Sequence, residues 1–135
     1  MSSRDPQFER EFLDHAARQA GLSGLPAQQF YDRVMARLRK GAEEYGGDDA
    51  FWRPADGDPS GTPKTIREAR EEAEDIGGWC LGAAQTIMTD QRNGLIDDDS
   101  AHQMKLHLLA AVSQGLAAWV HLDTAADIYR ERVKR

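Results

Sequence analysis

The stretch that decides the fold is Glu68-Ala69-Arg70-Glu71-Glu72-Ala73-Glu74-Asp75-Ile76-Gly77-Gly78-Trp79, which carries five carboxylates within eight residues. Apolar residues recur through and beyond it at helical spacing, and they are Ile66, Ala69, Ala73, Ile76, Cys80, Ala84 and Ile87. Because each residue of a helix advances by about 100°, these side chains share one face. The stretch therefore predicts a long amphipathic helix, which begins at Thr62-Pro63 or Thr65 and ends near Asp90.

The charged side chains of this helix are not distributed evenly around it. Glu68, Glu72 and Asp75 fall together on one border of the apolar face, and Glu71 lies just beyond them. The residues predicted to point well away from these acidic side chains are Arg67, Arg70 and Glu74. Three like charges at positions i, i+4 and i+7 repel one another, which destabilises the helix unless a cation lies among them. A hard divalent cation with oxygen ligands, Mg²⁺ in particular, fits this pattern.

An ordinary solvated helix face is the alternative interpretation of the same residues. Arg67 and Arg70 could form surface ion pairs with Glu71 and Glu74, as many Glu- and Arg-rich helices do. Asp75 favours the metal site, because aspartate is a mediocre helix former and lies here deep inside the helix rather than at its cap.

Composition limits the classes of protein that the chain can be. Its 135 residues fit one domain, 1–135, long enough to bury a core. The net charge of −6 argues against general nucleic-acid binding by the whole surface. Cys80 is the only cysteine, which excludes an intrachain disulfide and fits a reducing compartment. No signal peptide and no membrane span is predicted, so we expect a soluble cytoplasmic protein without a membrane partner.

The remaining patterns predict an all-α fold of four to five helices. A short helix follows Asp5-Pro6, and a second helix runs from Pro26 to Tyr45 and ends at Gly46-Gly47. The segment 46–63 is rich in Gly, Pro and Asp and predicts a long loop, which is more often functional than accidental. Ser100 and Gln103 form a capping-box signature for the fourth helix, and Asp123-Thr124 could begin a fifth. Trp79 and Trp119 fall on apolar borders and are predicted to be core residues.

The second helix ends in a cluster of charged and aromatic residues. Glu43 and Glu44 follow three cations, although the helix dipole disfavours acids at a C-terminus. If this helix packs antiparallel to the third, either glutamate can face the acidic residues there, as in the divalent-metal sites of helix bundles. The residues predicted to contact a phosphorylated substrate are Arg37, Arg39 and Lys40 on the helix and Arg53 and Lys64 on the loop, with Trp52 available to stack on a base.

The order of these motifs resembles the MazG-like all-α nucleoside triphosphate pyrophosphohydrolases, especially the small forms carried by phages. The resemblance covers roughly residues 30–88 and rests on Lys-Gly-x-Glu-Glu-Tyr-Gly, the acidic-aromatic loop, and Glu-x-x-Glu-Glu-x-x-Asp-x-x-x-Trp. That family carries Glu-x-x-Glu on one helix and Glu-x-x-Asp on the next. Glu72 to Asp75 matches the second half of the motif, and Glu44 matches the last glutamate of the first. The first glutamate falls on Gly41, a departure that Glu43 or Glu68 could compensate.

The resemblance implies a Mg²⁺-dependent hydrolase, with Mn²⁺ as the alternative ion, that converts a (deoxy)nucleoside triphosphate to the monophosphate and pyrophosphate. The expected metal ligands are Glu44, Glu68, Glu72 and Asp75. Catalytic roles are expected for Glu44, Glu71 and Glu72, with Glu71 or Glu43 as a supporting ligand or the base that orients water. The expected substrate contacts are Arg39, Lys40, Tyr45, Trp52, Arg53 and Lys64.

The resemblance also implies a helical bundle completed by dimerisation and, for a phage-type member, residence in the host cytoplasm. A non-catalytic acidic interaction or inhibitor protein on the same scaffold is the alternative, in which the acidic residues meet a basic partner. The Gly41 departure favours this second interpretation.

Overall fold

The computed structural model describes residues 4–47, 49 and 51–133. The described residues form four helices, α1 (Pro6–Gln19), α2 (Leu25–Tyr45), α3 (Thr62–Arg92) and α4 (Asp98–Arg132), and contain no strand. The all-α class is therefore confirmed. The chain divides into two compact units, Met1–Arg53 with α1 and α2 and Pro54–Arg135 with α3 and α4. No helix of the described part of the chain has the length and apolar character needed to cross a membrane.

In the first unit, polar side chains help to attach α1 to α2. Asp5 caps α1 by accepting a hydrogen bond from the backbone N–H of Phe8, and proline follows at the first helical position. Arg4 donates twice to Glu9 at 2.8 Å, which lowers the pKa of that carboxyl, and its guanidinium also reaches the sulfur of Met35 on α2. The Arg10 guanidinium stacks 3.7 Å above the centre of the Tyr31 ring.

The second unit is an antiparallel hairpin of α3 and α4. The two helices are close at Gly115 of α4, where a Cβ atom would lie 3.5 Å from the Ala73 carbonyl oxygen on α3, an ordinary contact distance. Ser60, just before α3, shares a 2.8 Å hydrogen bond with the hydroxyl of Tyr129 near the end of α4. The hairpin is thus anchored at its open end as well as along its length.

The predicted start of α4 was wrong, and of the four to five helices expected the described residues form four. The helix is capped by Asp97, whose carboxylate accepts from the Ser100 N–H at 2.6 Å, so Ser100 lies inside the first turn rather than at the cap. Asp123 and Thr124 do not begin a new helix, since α4 continues through them to Arg132. Thr124 is accommodated because its hydroxyl donates to the Val120 carbonyl one turn earlier.

Burial is far lower than the chain length predicts. The buried apolar side chains of the described residues are Ala73, Ile87 and Ala101, and no large side chain among them is fully buried. The large apolar side chains of Phe30 in α2 and Leu116 in α4 are mostly exposed. The expectation that one chain buries a substantial core is therefore wrong for the described part of this structure.

Candidate metal and nucleotide site

The acidic line of α3, defined here as Glu68, Glu72 and Asp75, lies on the exposed side of its helix. All three residues are exposed, and so is the neighbouring Glu71. The face of α3 that meets α4 is instead marked by Ala73, which is buried, and by Gly77, which lines a groove with Val112 of α4. The acidic line therefore points away from the hairpin interface and into solvent.

Arg70 and Glu74 face α4, on a different side of α3 from the acidic line. Arg70 stacks 4.7 Å from the ring centre of Trp119 and forms an ion pair at 3.5 Å with Asp123. Glu74 accepts a 3.1 Å hydrogen bond from the indole N–H of Trp119.

The arginines of α3 do not pair with its acidic line in the described part of the chain. Arg70 is engaged with α4, and no ion pair within residues 4–47, 49 and 51–133 includes Glu68, Glu71, Glu72 or Asp75. The surface ion pairs of the alternative interpretation, with Glu71 and Glu74, do not form there. The like charges of the acidic line are left without a side-chain counterion in the described structure.

Trp79 is an aromatic neighbour of the acidic line whose exposure was not predicted from the sequence. Its side chain is 80% exposed, although it was predicted to be core. It lies one turn beyond Asp75, on the same side of α3 as the acidic line. Its i+4 spacing from Asp75 was visible in the sequence, but the predicted centre of the apolar face placed it at the edge of a core. Trp119, the other predicted core tryptophan, is half-buried against α3.

The end of α2 presents the second group of predicted site residues. Glu44 pairs with Lys40 at 3.7 Å, one turn away on the same helix. Together with Arg37, Tyr45 and Phe51 these two residues surround a small cavity of about 190 Å³. Arg39 and Glu43 are exposed and do not line it. Arg37 is thus better placed than Arg39 to share a ligand with Lys40.

Gly41 is buried beneath the ring of Phe51. A side chain at Gly41 would place its first carbon 2.7 Å from Cζ of that ring, which is closer than carbon atoms approach. The position at which the resembled family carries its first glutamate is therefore filled by an aromatic ring from the following loop. Glycine is required here for close approach rather than for a special backbone angle.

Two predicted substrate contacts of the loop have structural roles. Arg53 donates to the carbonyl oxygens of Tyr45 and Gly46 at the end of α2, and to the Asp49 carboxylate at 2.9 Å, which lowers the pKa of Asp49. It thereby satisfies carbonyls that the helix end leaves without partners. Trp52 is half-buried and lines a 400 Å³ cavity with Phe8 of α1 and Leu38 of α2. Lys64 lies half-buried in the first turn of α3.

The carboxylates do not form a closed ion cage within the described residues. No three His, Cys, Asp or Glu side chains in that part of the chain lie close enough together to hold a metal ion. Glu44 and Glu43 belong to the first unit and the acidic line to the second. The donor chemistry of the acidic line suits Mg²⁺, but one helix alone presents neighbouring carboxylates to only one side of an ion.

Comparison with known proteins adds no further constraint, since no protein-family model, curated protein or solved structure matches the chain.

Proposed function

We propose that the protein is a Mg²⁺-dependent pyrophosphohydrolase that converts a (deoxy)nucleoside triphosphate to the monophosphate and pyrophosphate. The observation that carries the proposal is the acidic line, because Glu68, Glu72 and Asp75 are exposed and lack a side-chain counterion among the described residues. In the proposal these three carboxylates hold the ion. The order of the motifs along the chain, with its resemblance to MazG-like enzymes, supports the choice of reaction.

The reaction assigns a distinct task to each group of side chains. Bound Mg²⁺ would supply positive charge to the phosphate oxygens and to the attacking water. Glu71 or Glu43 accepts the proton of the water that attacks the α-phosphorus, and the bond from this phosphorus to the oxygen bridging it to the β-phosphorus breaks. Lys40, with Arg37 or Arg39, binds the phosphates, and pyrophosphate leaves with the bridging oxygen.

Aromatic residues with exposed rings are the best candidates for binding the base. Tyr45 is exposed at the end of α2, and Trp79 is exposed beside the acidic line. Trp52 is less suited, because its ring already packs beside α1 and α2. An exposed indole offers a flat apolar surface for a nucleobase, a contact worth about 1–3 kcal/mol per base.

Metal-dependent stabilisation provides the first test. Millimolar Mg²⁺ or Mn²⁺ should raise the melting temperature of the wild type, because an ion that binds only the folded state stabilises it. Glu72→Gln and Asp75→Asn should abolish this shift, while their ion-free forms melt at or above wild type because repulsion is reduced. Glu131→Gln, at an exposed position near the end of α4, is the matched control and should keep the shift. A flat wild-type response across the titration would exclude the metal site.

Product analysis provides the second test. A panel of nucleoside and deoxynucleoside triphosphates should yield the monophosphate and pyrophosphate from at least one member. Orthophosphate as the only inorganic product would identify a different hydrolase.

An acidic interaction protein remains the second candidate because of one observation, the Phe51 ring that fills the space beside Gly41. With this ring in place the first half of the resembled motif lacks a carboxylate. Binding of metal without turnover of any nucleotide would favour this candidate, in which the acidic line and Trp79 would contact a basic partner.

A further inference from the structure

The small cavity at the C-terminal end of α2, called here the end cavity, combines aromatic rings with side chains of both charges. Phe51 and Tyr45 supply the rings, and Arg37, Lys40 and Glu44 supply the charges. All of these residues belong to the first unit. The volume of about 190 Å³ is smaller than that of pockets for whole drug-sized ligands, which measure about 300–1,000 Å³. The end cavity therefore suits one ring system rather than an entire nucleotide.

The aromatic wall of the end cavity, formed by Phe51 and Tyr45, is held by contacts within the same unit. The Phe51 ring lies against the buried Gly41, where a Cβ atom would come within 2.7 Å of its Cζ. Arg53 donates to the carbonyl oxygens of Tyr45 and Gly46, which fixes the backbone that carries the second ring. A wall whose backbone is already fixed loses little conformational freedom when a flat ring stacks on it.

The charged side chains of the end cavity stand along one side of α2. Arg37, Gly41 and Glu44 occupy positions i, i+4 and i+7, so the two charged residues lie on the same side of the helix, about 10 Å apart along its axis. Glu44 pairs with Lys40 at 3.7 Å, and such an exposed pair is weak enough to be exchanged for a ligand. Arg37 takes part in no ion pair within residues 4–47, 49 and 51–133. The end cavity thus offers a donor at one end and an acceptor at the other.

Guanine is the common nucleobase whose edges match this layout. It carries two adjacent donors, N1–H and the 2-amino group, and two neighbouring acceptors, O6 and N7. A carboxylate has only acceptors and a guanidinium only donors, and arginine bound to O6 and N7 is the commonest specific contact of guanine in DNA complexes. Adenine and cytosine present an amino group beside an unprotonated ring nitrogen, which a carboxylate repels. Uracil and thymine present one N–H between two carbonyl groups.

We propose that the end cavity binds the base of a guanine nucleotide. The base stacks on the aromatic wall, Glu44 accepts from N1–H and the 2-amino group, and Arg37 donates to O6 and N7. Lys40, released from Glu44, binds the phosphates with Arg39. The inference rests on the proposed function in taking the ligand to be a nucleotide, and it narrows the substrate to GTP or dGTP.

Binding of nucleoside monophosphates in the presence of EDTA tests the end cavity without metal or turnover. Calorimetric titration of the full chain should show that GMP binds at least tenfold more tightly than AMP, CMP or UMP. Inosine monophosphate, which lacks the 2-amino group, and 7-deaza-GMP, which lacks the N7 acceptor, should each bind at least threefold more weakly than GMP. Equal affinities for GMP, AMP, CMP and UMP would overturn the proposal.

Substitutions of the two base-reading side chains test their separate roles. Glu44→Gln should reduce the preference for GMP over AMP below threefold while AMP binds at least as tightly as to wild type, because a glutamine side chain matches the edge of adenine. Unfolding would not produce this result. Arg37→Ala should bind GMP and 7-deaza-GMP equally. Arg33→Ala and Glu131→Gln, at exposed positions outside the end cavity, are the controls and should keep the preference for GMP. A preference that survives both Glu44→Gln and Arg37→Ala would overturn the proposal.

The guanine site and the hydrolase function fail in different ways. Hydrolysis of a triphosphate by a protein without a preference for GMP would overturn the guanine site and leave the hydrolase. A preference for GMP that Glu44→Gln removes, without hydrolysis of GTP or dGTP, would support the guanine site and overturn the hydrolase.

Discussion

At the scale of single residues, the two tryptophans of the hairpin have opposite roles. Trp119 stacks on Arg70 and donates to Glu74, whereas the side chain of Trp79 is mostly exposed. Trp119→Ala should lower the free energy of unfolding by about 1–3 kcal/mol, since a cation–π contact and a hydrogen bond are lost.

Trp79→Ala should leave the melting temperature within about 1 °C of wild type but weaken nucleotide binding roughly tenfold. Thermal melts and nucleotide titrations of both variants check this; equal affinity in Trp79→Ala and wild type would remove Trp79 from the site.

A second prediction at this scale concerns Gly41 and Phe51. Replacing an interior helical glycine with alanine ordinarily stabilises a helix by about 0.5–1 kcal/mol. Gly41→Ala should not do so here, because the new methyl group would meet the Phe51 ring. In a Phe51→Ala background the same substitution should show the ordinary gain. Denaturant unfolding of the four proteins in this cycle measures the coupling, and additive effects would show that the ring does not constrain Gly41.

The scale of helices shows what local sequence can and cannot specify. The predicted extents of α2 and α3 were correct within two or three residues, because Gly46-Gly47 and Thr62-Pro63 are local signals. The side of α3 that meets α4 was not fully predicted: the contacts of Arg70 and Glu74 with α4 were not expected, and Trp79 was assigned to the core. Which side of α3 meets α4 also depends on the residues of α4, such as the buried Gly115. The sequence of α3 alone does not contain this information. The spacing of Glu68, Glu72 and Asp75 correctly predicted that they share one side of α3. All three are exposed, as charged side chains usually are.

The cap of α4 provides the prediction for this scale. The backbone N–H of Ser100 donates to the Asp97 carboxylate and lowers its pKa below the ordinary 3.8. A lowered folded-state pKa means that the ionised cap stabilises the helix above the ordinary value and that this stability is lost as the pH falls through the folded pKa. Asp97→Asn keeps an acceptor but does not titrate. The melting temperature of wild type minus that of Asp97→Asn should therefore decrease on acidification from pH 6 to pH 3. A difference that is constant across this range would contradict the role of charge at the cap.

At the scale of the whole molecule, low burial is the property that governs stability. Among the described residues large side chains remain partly or mostly exposed, so one chain gains little from the hydrophobic effect. If pairing of two chains, which the resemblance implies, supplies the missing burial, unfolding and dissociation become one event. The melting temperature should then rise with protein concentration, by about 2–3 °C per tenfold for a dimer of this size. A concentration-independent wild-type melt would mean that unfolding does not involve dissociation of two chains. The ligands of the proposed metal ion would then all have to come from one chain.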